Sequence, residues 1–299
     1  MSAQWKGKTR GGKAGYFAFI FLLKHLGINA AYTLLIFVSA YFVVFVRSAR
    51  NPMYYFYRKV LHFSLSKSIR YLFLNSYRFG QVLIDKVAIM SGMESHYTFD
   101  FEGEQHLHQM AVSTGGFIIG AHIGNWEIAG HLLKRIPTRV HIVMLEAEHE
   151  KIKNMLNQVM TEKSMSIIPI KQDLSHLFAI QEAMAKNELI AIHGDRFLEG
   201  SKPVSMPFFG LEADFPTGPF SMAIRFGKPM TFVSAMRMKG KHYHFFATPP
   251  TTYPSERKTL NTSLKIAMSA YIREMERVLK KFPEQWFNYY YFWKQNPTS

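Results

Sequence analysis

Gly116-Phe117-Ile118-Ile119-Gly120-Ala121-His122-Ile123-Gly124-Asn125-Trp126-Glu127 is the stretch from which the fold can be read. An apolar run of strand length ends in a histidine. Gly124 and Asn125 then favour a turn and a helix cap. Glu127 falls in the first turn of the helix so capped, and the segment reads as a strand–turn–helix corner. In one continuous helix, side chains five residues apart diverge by ~140°. Across a corner, His122 and Glu127 can meet. A carboxylate on one ring nitrogen fixes the tautomer, and the other nitrogen can then take a proton from an alcohol. The alternative is a capping histidine and a glutamate that only complements the positive end of a helix. Spacing alone leaves both readings open.

Working outward, the same alternation repeats. Short apolar runs at Phe117–Ala121, Arg139–Leu145, Met165–Ile170, Leu189–His193, Met230–Ala235 and Tyr243–Thr248 read as strands. Helical stretches lie between several of them, at Trp126–Arg135, Lys151–Glu162, Asp173–Lys186 and Pro219–Phe226. A final helix over Leu260–Lys281 carries Leu264, Met268, Tyr271, Ile272, Met275 and Leu279 on one face. Strands alternating with helices predict an α/β fold: a central, mostly parallel sheet flanked by helices.

The N-terminal region is different. Residues 1–15 carry Lys6, Lys8, Arg10 and Lys13 and no acid. Leu26 to Val46 is uncharged, and as a helix it would cover ~30 Å, about one bilayer core. Arg47, Arg50, Arg58 and Lys59 come directly after it. The predicted organisation is a basic tail and membrane-anchor helix over 1–50, then one domain over 51–299, whose first part, 51–97, is helical and basic. Basic flanks at both ends suit anionic headgroups but do not fix orientation. The chain has 299 residues, 48% apolar, which implies a packed fold. Phe (26), Tyr (15) and Met (17) serve either an aromatic core or an apolar groove. The net charge of +15 attracts anionic lipid, acidic carrier proteins or nucleic acid without choosing among them.

Several chemistries lack their residues. There is no cysteine, hence no disulfide, thiolate metal site or cysteine nucleophile. No Gly-x-Ser-x-Gly elbow supports a serine hydrolase. Gly7-Lys8-Thr9 imitates the tail of a P-loop, but its first glycine would stand at Ser2. His242-x-His244 puts two rings on one strand face without a nearby acidic cluster in sequence, so no metal is expected. His106 and His108 read as surface, and His131 as packing or as a neighbour of Glu127. His193 reads as a core histidine or as a second ring on the same sheet edge.

A histidine followed after four residues by Asp or Glu resembles the lysophospholipid acyltransferase superfamily. His122-Ile-Gly-Asn-Trp-Glu127 is similar to its lipid A biosynthesis (late) acyltransferase branch. Further blocks stand in that branch's order. They are Leu189-Ile-Ala-Ile-His-Gly-Asp195-Arg196, Pro207-Phe-Phe-Gly210 with Pro216-Thr-Gly218, Gly227-Lys-Pro229, and Pro283-Glu-Gln-Trp286. The resemblance spans roughly residues 15–293. It departs in Glu127 where Asp is frequent, in Asp195-Arg196 where Asp-Gln is frequent, and in Asn288 where a second Trp is usual. Asp214-Phe-Pro-Thr-Gly218 lacks the Glu of the Phe-Pro-Glu-Gly block of glycerophospholipid acyltransferases.

The resemblance implies transfer of a fatty acyl group from an acyl thioester, on acyl carrier protein or coenzyme A, to a lipid acceptor. It implies no further cofactor. A lipid A-like glycolipid is favoured, with glycerophospholipid, aminolipid and polyene-pigment acceptors as alternatives. The rival classes are a non-catalytic lipid-binding member of the fold and a basic nucleic-acid-binding protein; the thin spread of charge and the membrane segment argue against the latter, so no nucleic-acid partner is expected. His122 would be the general base, with Glu127 orienting it. Arg196, with Asp195, Asn125 and backbone near Gly124, is the candidate set for the oxyanion or for substrate phosphate. An Arg196–Asp195 salt bridge is the plainer reading of that pair. The implied location is the inner membrane, with the catalytic domain on its cytoplasmic face.

Overall fold

The computed structural model describes residues 13–128, 135–145, 165–171, 173, 175–197 and 202–294, with the backbone alone for residues 13–22, 24, 90, 127 and 145. The chain divides into two compact units. One comprises Met1–Tyr97, Ser205–Asp214 and Glu276–Ser299; the other comprises Thr98–Val204 and Phe215–Met275.

The first unit starts with α1 (Lys13–Phe45), broken at Gly27, whose φ of 78° lies in the region that favours glycine. Beyond the break, Ile28, Ala31, Leu35 and Ser39 are buried at helical spacing. Leu26, Phe37, Tyr41, Val44 and Phe45 stay exposed, Phe37 at 69%. His25–Phe45 is long and apolar enough to cross a membrane. The helix expected over the uncharged run is therefore present, and it ends at Phe45, since Val46 is not helical.

The predicted helical stretch over 51–97 resolves into α2 (Arg47–Tyr55), a π-turn (Phe56–Val60) and α3 (Leu65–Met90). Ser64 caps α3 by accepting from the Lys67 amide at 3.3 Å. α1 and α3 approach closely at Gly80, where a Cβ would stand 2.2 Å from Leu35 Cδ1. Asp85 on α3 is fully buried. Its Oδ1 accepts from the Tyr32 hydroxyl of α1 and, at 3.0 Å, from the Tyr97 hydroxyl.

The rest of this unit is an aromatic cluster closed by the end of the chain. Strands β6 (Val204–Phe208) and β7 (Leu211–Phe215) form a hairpin. Its two-residue turn, Phe209-Gly210, has φ of 53° and 77°, the mirror-image turn that matches strand twist. Phe56, Phe208, Trp286 and Trp293 are all buried. Ring centroids lie 4.8 Å apart for Phe56–Trp286 and 5.5 Å for Phe208–Trp293. Trp293 Nε1 donates to the Phe208 carbonyl at 2.9 Å. Asn75 Nδ2 on α3 donates to the carbonyls of Glu284 (3.1 Å) and Trp286 (2.9 Å). The Pro283–Trp286 block is thus a backbone turn tied down by a buried amide.

The second unit holds the strands β1 (Thr98–Glu102), β2 (Gly116–Gly120), β3 (Val140–Leu145), β4 (Met165–Ile170), β5 (Leu189–His193), β8 (Met230–Arg237) and β9 (His242–Ala247). They form a seven-stranded sheet in the order β1-β9-β8-β2-β5-β3-β4. Every pairing is parallel except β8 with β9. The helices are α4 (Glu104–Val112), α5 (Ser175–Ala185), α6 (Gly218–Arg225) and α7 (Leu260–Lys281), the last running on into the first unit. The predicted mostly parallel α/β sheet is the observed one. The helix expected over Lys151–Glu162 lies outside the described residues, as does His131.

Replacing Asn75 by Leu takes the donor from the buried Trp286 carbonyl and the part-buried Glu284 carbonyl while keeping the branched side-chain skeleton. The expected cost is about 2–4 kcal/mol, measured as a fall in thermal midpoint in detergent. An unchanged midpoint would show that the Pro283–Trp286 turn does not depend on this amide.

Candidate active site

β2 and β5 lie side by side in the register Gly116↔Leu189 through Gly120↔His193. Two residues past that last pair, the chains carry His122 and Asp195. Both stand at the carboxyl ends of neighbouring parallel strands, where ligands bind in open α/β sheets. The Asp195 carboxylate grips His122 twice. The His122 amide donates to Oδ2 at 3.0 Å, and Nδ1 lies 2.9 Å from Oδ1 and 3.1 Å from Oδ2. An ionised carboxylate only accepts, so Nδ1 carries the proton. That leaves Nε2 as the basic nitrogen on a side chain still 18% exposed.

Asp195 is 2% exposed. Burial alone would raise its carboxyl. The adjoining His122, its hydrogen bonds and the Arg196 charge outweigh that and hold Asp195 well below the usual carboxylate range. His193, the residue of β5 facing Gly120, brings a second ring to the site. Its centroid is 4.5 Å from that of His122 and 4.8 Å from that of Trp126. Burial first, and then the charge of His122, push His193 down to about 3.

Small residues make the close packing possible. A Cβ on Gly120 would meet His193 Nδ1 at 3.2 Å. One on Gly194 would crowd Ile119, Phe220 and Tyr271, all within 3.1 Å. The Gly120 carbonyl accepts from the Gly194 amide at 3.0 Å and from the Tyr271 hydroxyl of α7 at 2.9 Å. Gly124 has a φ of 66°, and a Cβ there would stand 2.1 Å from the Ala235 carbonyl. Only glycine fits that turn.

The structure sorts the residues singled out from sequence. His122 and Asp195 come together, and Asp195 supplies the carboxylate on Nδ1. Glu127 lies in a 3-10 turn, Trp126–Ile128; the Glu127 side chain and residues 129–134 lie outside the described part of the chain. Asn125 is fully buried. Its amide donates to Ala235 (2.7 Å), its Nδ2 to the Tyr243 hydroxyl (3.2 Å), and its Oδ1 accepts from Ile128 (3.4 Å). It therefore acts as a cap and a strut between strands. Arg196 is partly buried beside Asp195 and contributes positive charge there.

Sequence reasoning left His193 open between a core histidine and a second ring on the sheet edge, and placed Tyr271 only on the apolar face of a helix. The signal for His193 was its place as the last residue of an apolar strand, next to Gly194-Asp195. His122, His193 and Asp195 also offer ligand atoms within 4.8 Å of one another. His122 and Asp195 are already engaged with each other, which accounts for their closeness. His242 and His244 have the acidic neighbours that the sequence concealed. Across the β1–β9 register, Asp100 pairs with both rings (3.1 and 2.6 Å), and Glu102 lies 3.3 Å from His244.

The family described as bacterial lipid A biosynthesis acyltransferase matches residues 72–295. The chain belongs to this family. It is therefore an acyltransferase, of the class that transfers acyl groups other than amino-acyl ones. No curated protein matches the sequence. Among solved structures, the chain is similar to the 1-acyl-sn-glycerophosphate (LPA) acyltransferase PlsC from Thermotoga maritima. Identity is 12%, coverage is 81% of this chain and 95% of that one, and the TM-score is 0.38.

The depressed His193 gives a pH signature. The unfolded chain protonates this residue near its ordinary ~6.5, whereas the folded one does not until about 3. Between these values the unfolded state binds more protons, so stability rises with pH at up to ~1.4 kcal/mol per pH unit. The stabilisation from Asp195 is lost only below its ordinary ~3.9, which leaves pH 4.5–6.5 as a window of about two units for His193. On acidification through that window, urea midpoints should fall further for wild type than for His193→Phe. Parallel slopes would mean that the folded protein protonates His193.

Proposed function

We propose that this acyltransferase moves a fatty acyl group from an acyl thioester to a hydroxyl of a lipid acceptor, with His122 Nε2 as general base. The observation that carries the reading is the Asp195 clamp on the opposite nitrogen. It fixes the tautomer and stabilises the imidazolium that forms when Nε2 takes the acceptor proton. The alkoxide then attacks the thioester carbonyl, the tetrahedral oxyanion collapses, and the thiolate leaves and takes the proton back from His122. No acyl-enzyme is needed. Arg196 is the cationic candidate for the oxyanion or for a substrate phosphate. Glu127, five residues after His122, is the orienting carboxylate that the family resemblance implies.

The donor is acyl carrier protein or coenzyme A, and the favoured acceptor is a lipid A-like glycolipid, on the strength of the family. The protein sits at the cytoplasmic face of the inner membrane, held by α1. Its exposed apolar face supports that placement.

The deciding assay is transfer of a labelled acyl group from either donor to a membrane lipid extract, with product masses read out. His122→Ala should lose about 10²–10⁴-fold. Asp195→Asn separates orientation from folding. Its Oδ1 can still accept from the His122 amide, while its NH₂ would face Nδ1 and force the proton onto Nε2. The expected loss is on the order of 10²-fold or more, in a protein whose fold is checked by circular dichroism. An Asp195→Asn enzyme as active as wild type would overturn the mechanism.

The outward face of α1 gives a separate test. Phe37→Asp with Val44→Asp should move the protein from the membrane to the soluble fraction on cell lysis. Retention after both changes would mean that other surfaces hold it there.

A further inference from the structure

His193 has no assigned part in the reaction, yet its ring is packed against that of the proposed base. Its ring lies 4.5 Å from that of His122, inclined by 35°. The Trp126 indole also packs against it, 4.8 Å away and nearly perpendicular at 82°, and stands 6.3 Å from the His122 ring. Its buried Nδ1 edge rests on the Gly120 backbone, where a side chain of any size would displace it. The β2–β5 ladder sets the ring opposite Gly120, two residues before His122 opposes Asp195. One ladder therefore supplies both the carboxylate that grips His122 Nδ1 and the flat surface against its ring.

The carboxylate cannot orient the base alone. Asp195 holds the His122 amide but only one atom of its ring, and small coupled changes in χ1 and χ2 that keep Nδ1 near the carboxylate still tilt the ring and swing Nε2. A flat ring against the imidazole removes this freedom. The ring must also be uncharged, because a cation at that distance would oppose the imidazolium formed in turnover. Among the described residues, the charged and titratable groups acting on His193 are His122 from the end of β2, and Asp195 and Arg196 from its own segment. Burial keeps the ring neutral in their company.

We infer that His193 is a positioning residue for acyl transfer: a ring packed against Gly120 and Trp126 that fixes the plane of the His122 imidazole so that Nε2 faces the acceptor while Nδ1 stays on Asp195. The inference rests on the general-base reading of His122.

The test uses the full-length protein in detergent, with His193→Ala, →Gln and →Phe. A misdirected base lowers turnover without weakening binding. His193→Ala and His193→Gln should therefore lose about 10–10²-fold in kcat with KM little changed. Phe, a flat ring without nitrogens, should restore the larger part of that loss and keep the wild-type pH limb of kcat. A Phe variant as poor as Ala would overturn the inference: with Gln restoring the rate, in favour of hydrogen bonding by the His193 nitrogens, and with Gln equally poor, in favour of proton transfer by His193. Wild-type kcat in the Ala variant would remove any role.

The tautomer of His122, read by NMR of ¹⁵N-histidine protein, does not depend on turnover and remains informative if a variant is poorly active. A single Nδ1-protonated form is expected in wild type and the Phe variant, and a mixture in the Ala variant. A single form in all three would sink the positioning role. Absence of His122-dependent transfer in wild type, with the tautomers as expected, would instead count against the general-base reading alone.

Discussion

The pairing of β2 with β5 is the constraint on which the site depends. The ladder Gly116↔Leu189 to Gly120↔His193 ends two residues short of His122 and Asp195, so it fixes which side chains face each other beyond the sheet edge. In a parallel sheet a slip of one residue turns every side chain to the opposite face. Here such a slip would put Ile123 or Ala121 against the carboxylate. The Gly120 carbonyl guards against it by taking two donors, the Gly194 amide and the Tyr271 hydroxyl. The absence of a side chain at Gly194 lets Ile119, Phe220 and Tyr271 close in beneath. Hydrophobic packing sets the strands, and the hydrogen bonds set the register.

Much of this was legible in sequence because strands buried on both faces read as short continuous apolar runs. Met165–Ile170, Leu189–His193 and Leu260–Lys281 stand where their patterns place them. β1 was not read. Thr98–Glu102 alternates Phe with acids over only five residues and lies at the edge of the sheet, where alternation is brief and half-solvated. α4, over Glu104–Val112, has a weak apolar face built on Leu107 and Met110. The β6–β7 hairpin was read only as a motif, because Pro207-Phe208-Phe209-Gly210 carries no alternation of its own. Its turn places a non-glycine residue, Phe209, at positive φ, held by its amide donating to Glu276 at 2.6 Å.

The site was half legible for a different reason. Local spacing could offer His122 a partner only from nearby in the chain, and Glu127 was that residue. Asp195 is 73 positions away, and no periodicity links such positions. Both residues do share one signal: each comes two positions after an apolar strand, with a small residue between. Two such endings in neighbouring parallel strands imply convergence once the strand order is known, and strand order is what the sequence withholds. Asn125 shows the converse. A polar residue beside the histidine looks available for chemistry, yet its hydrogen-bonding groups are consumed by the turn and by Tyr243.

The first unit is assembled from the beginning, the middle and the end of the chain, and this bears on how it is made. A ribosome delivers α1 first, so the apolar helix can reach the bilayer while Phe208, Trp286 and Trp293 are still unsynthesised. Until they arrive, Phe56 and Tyr57, both fully enclosed in the finished protein, have no aromatic partners from the hairpin or the closing segment. Closing the cluster means bridging 226 residues between Tyr57 and the Pro283 carbonyl, a contact of high loop-closure cost that forms late. With α1 as the proposed anchor, the nascent protein would be tethered to a membrane before its aromatic core can shut. On that reading, a chain released before Trp286 would stay attached there with that core open.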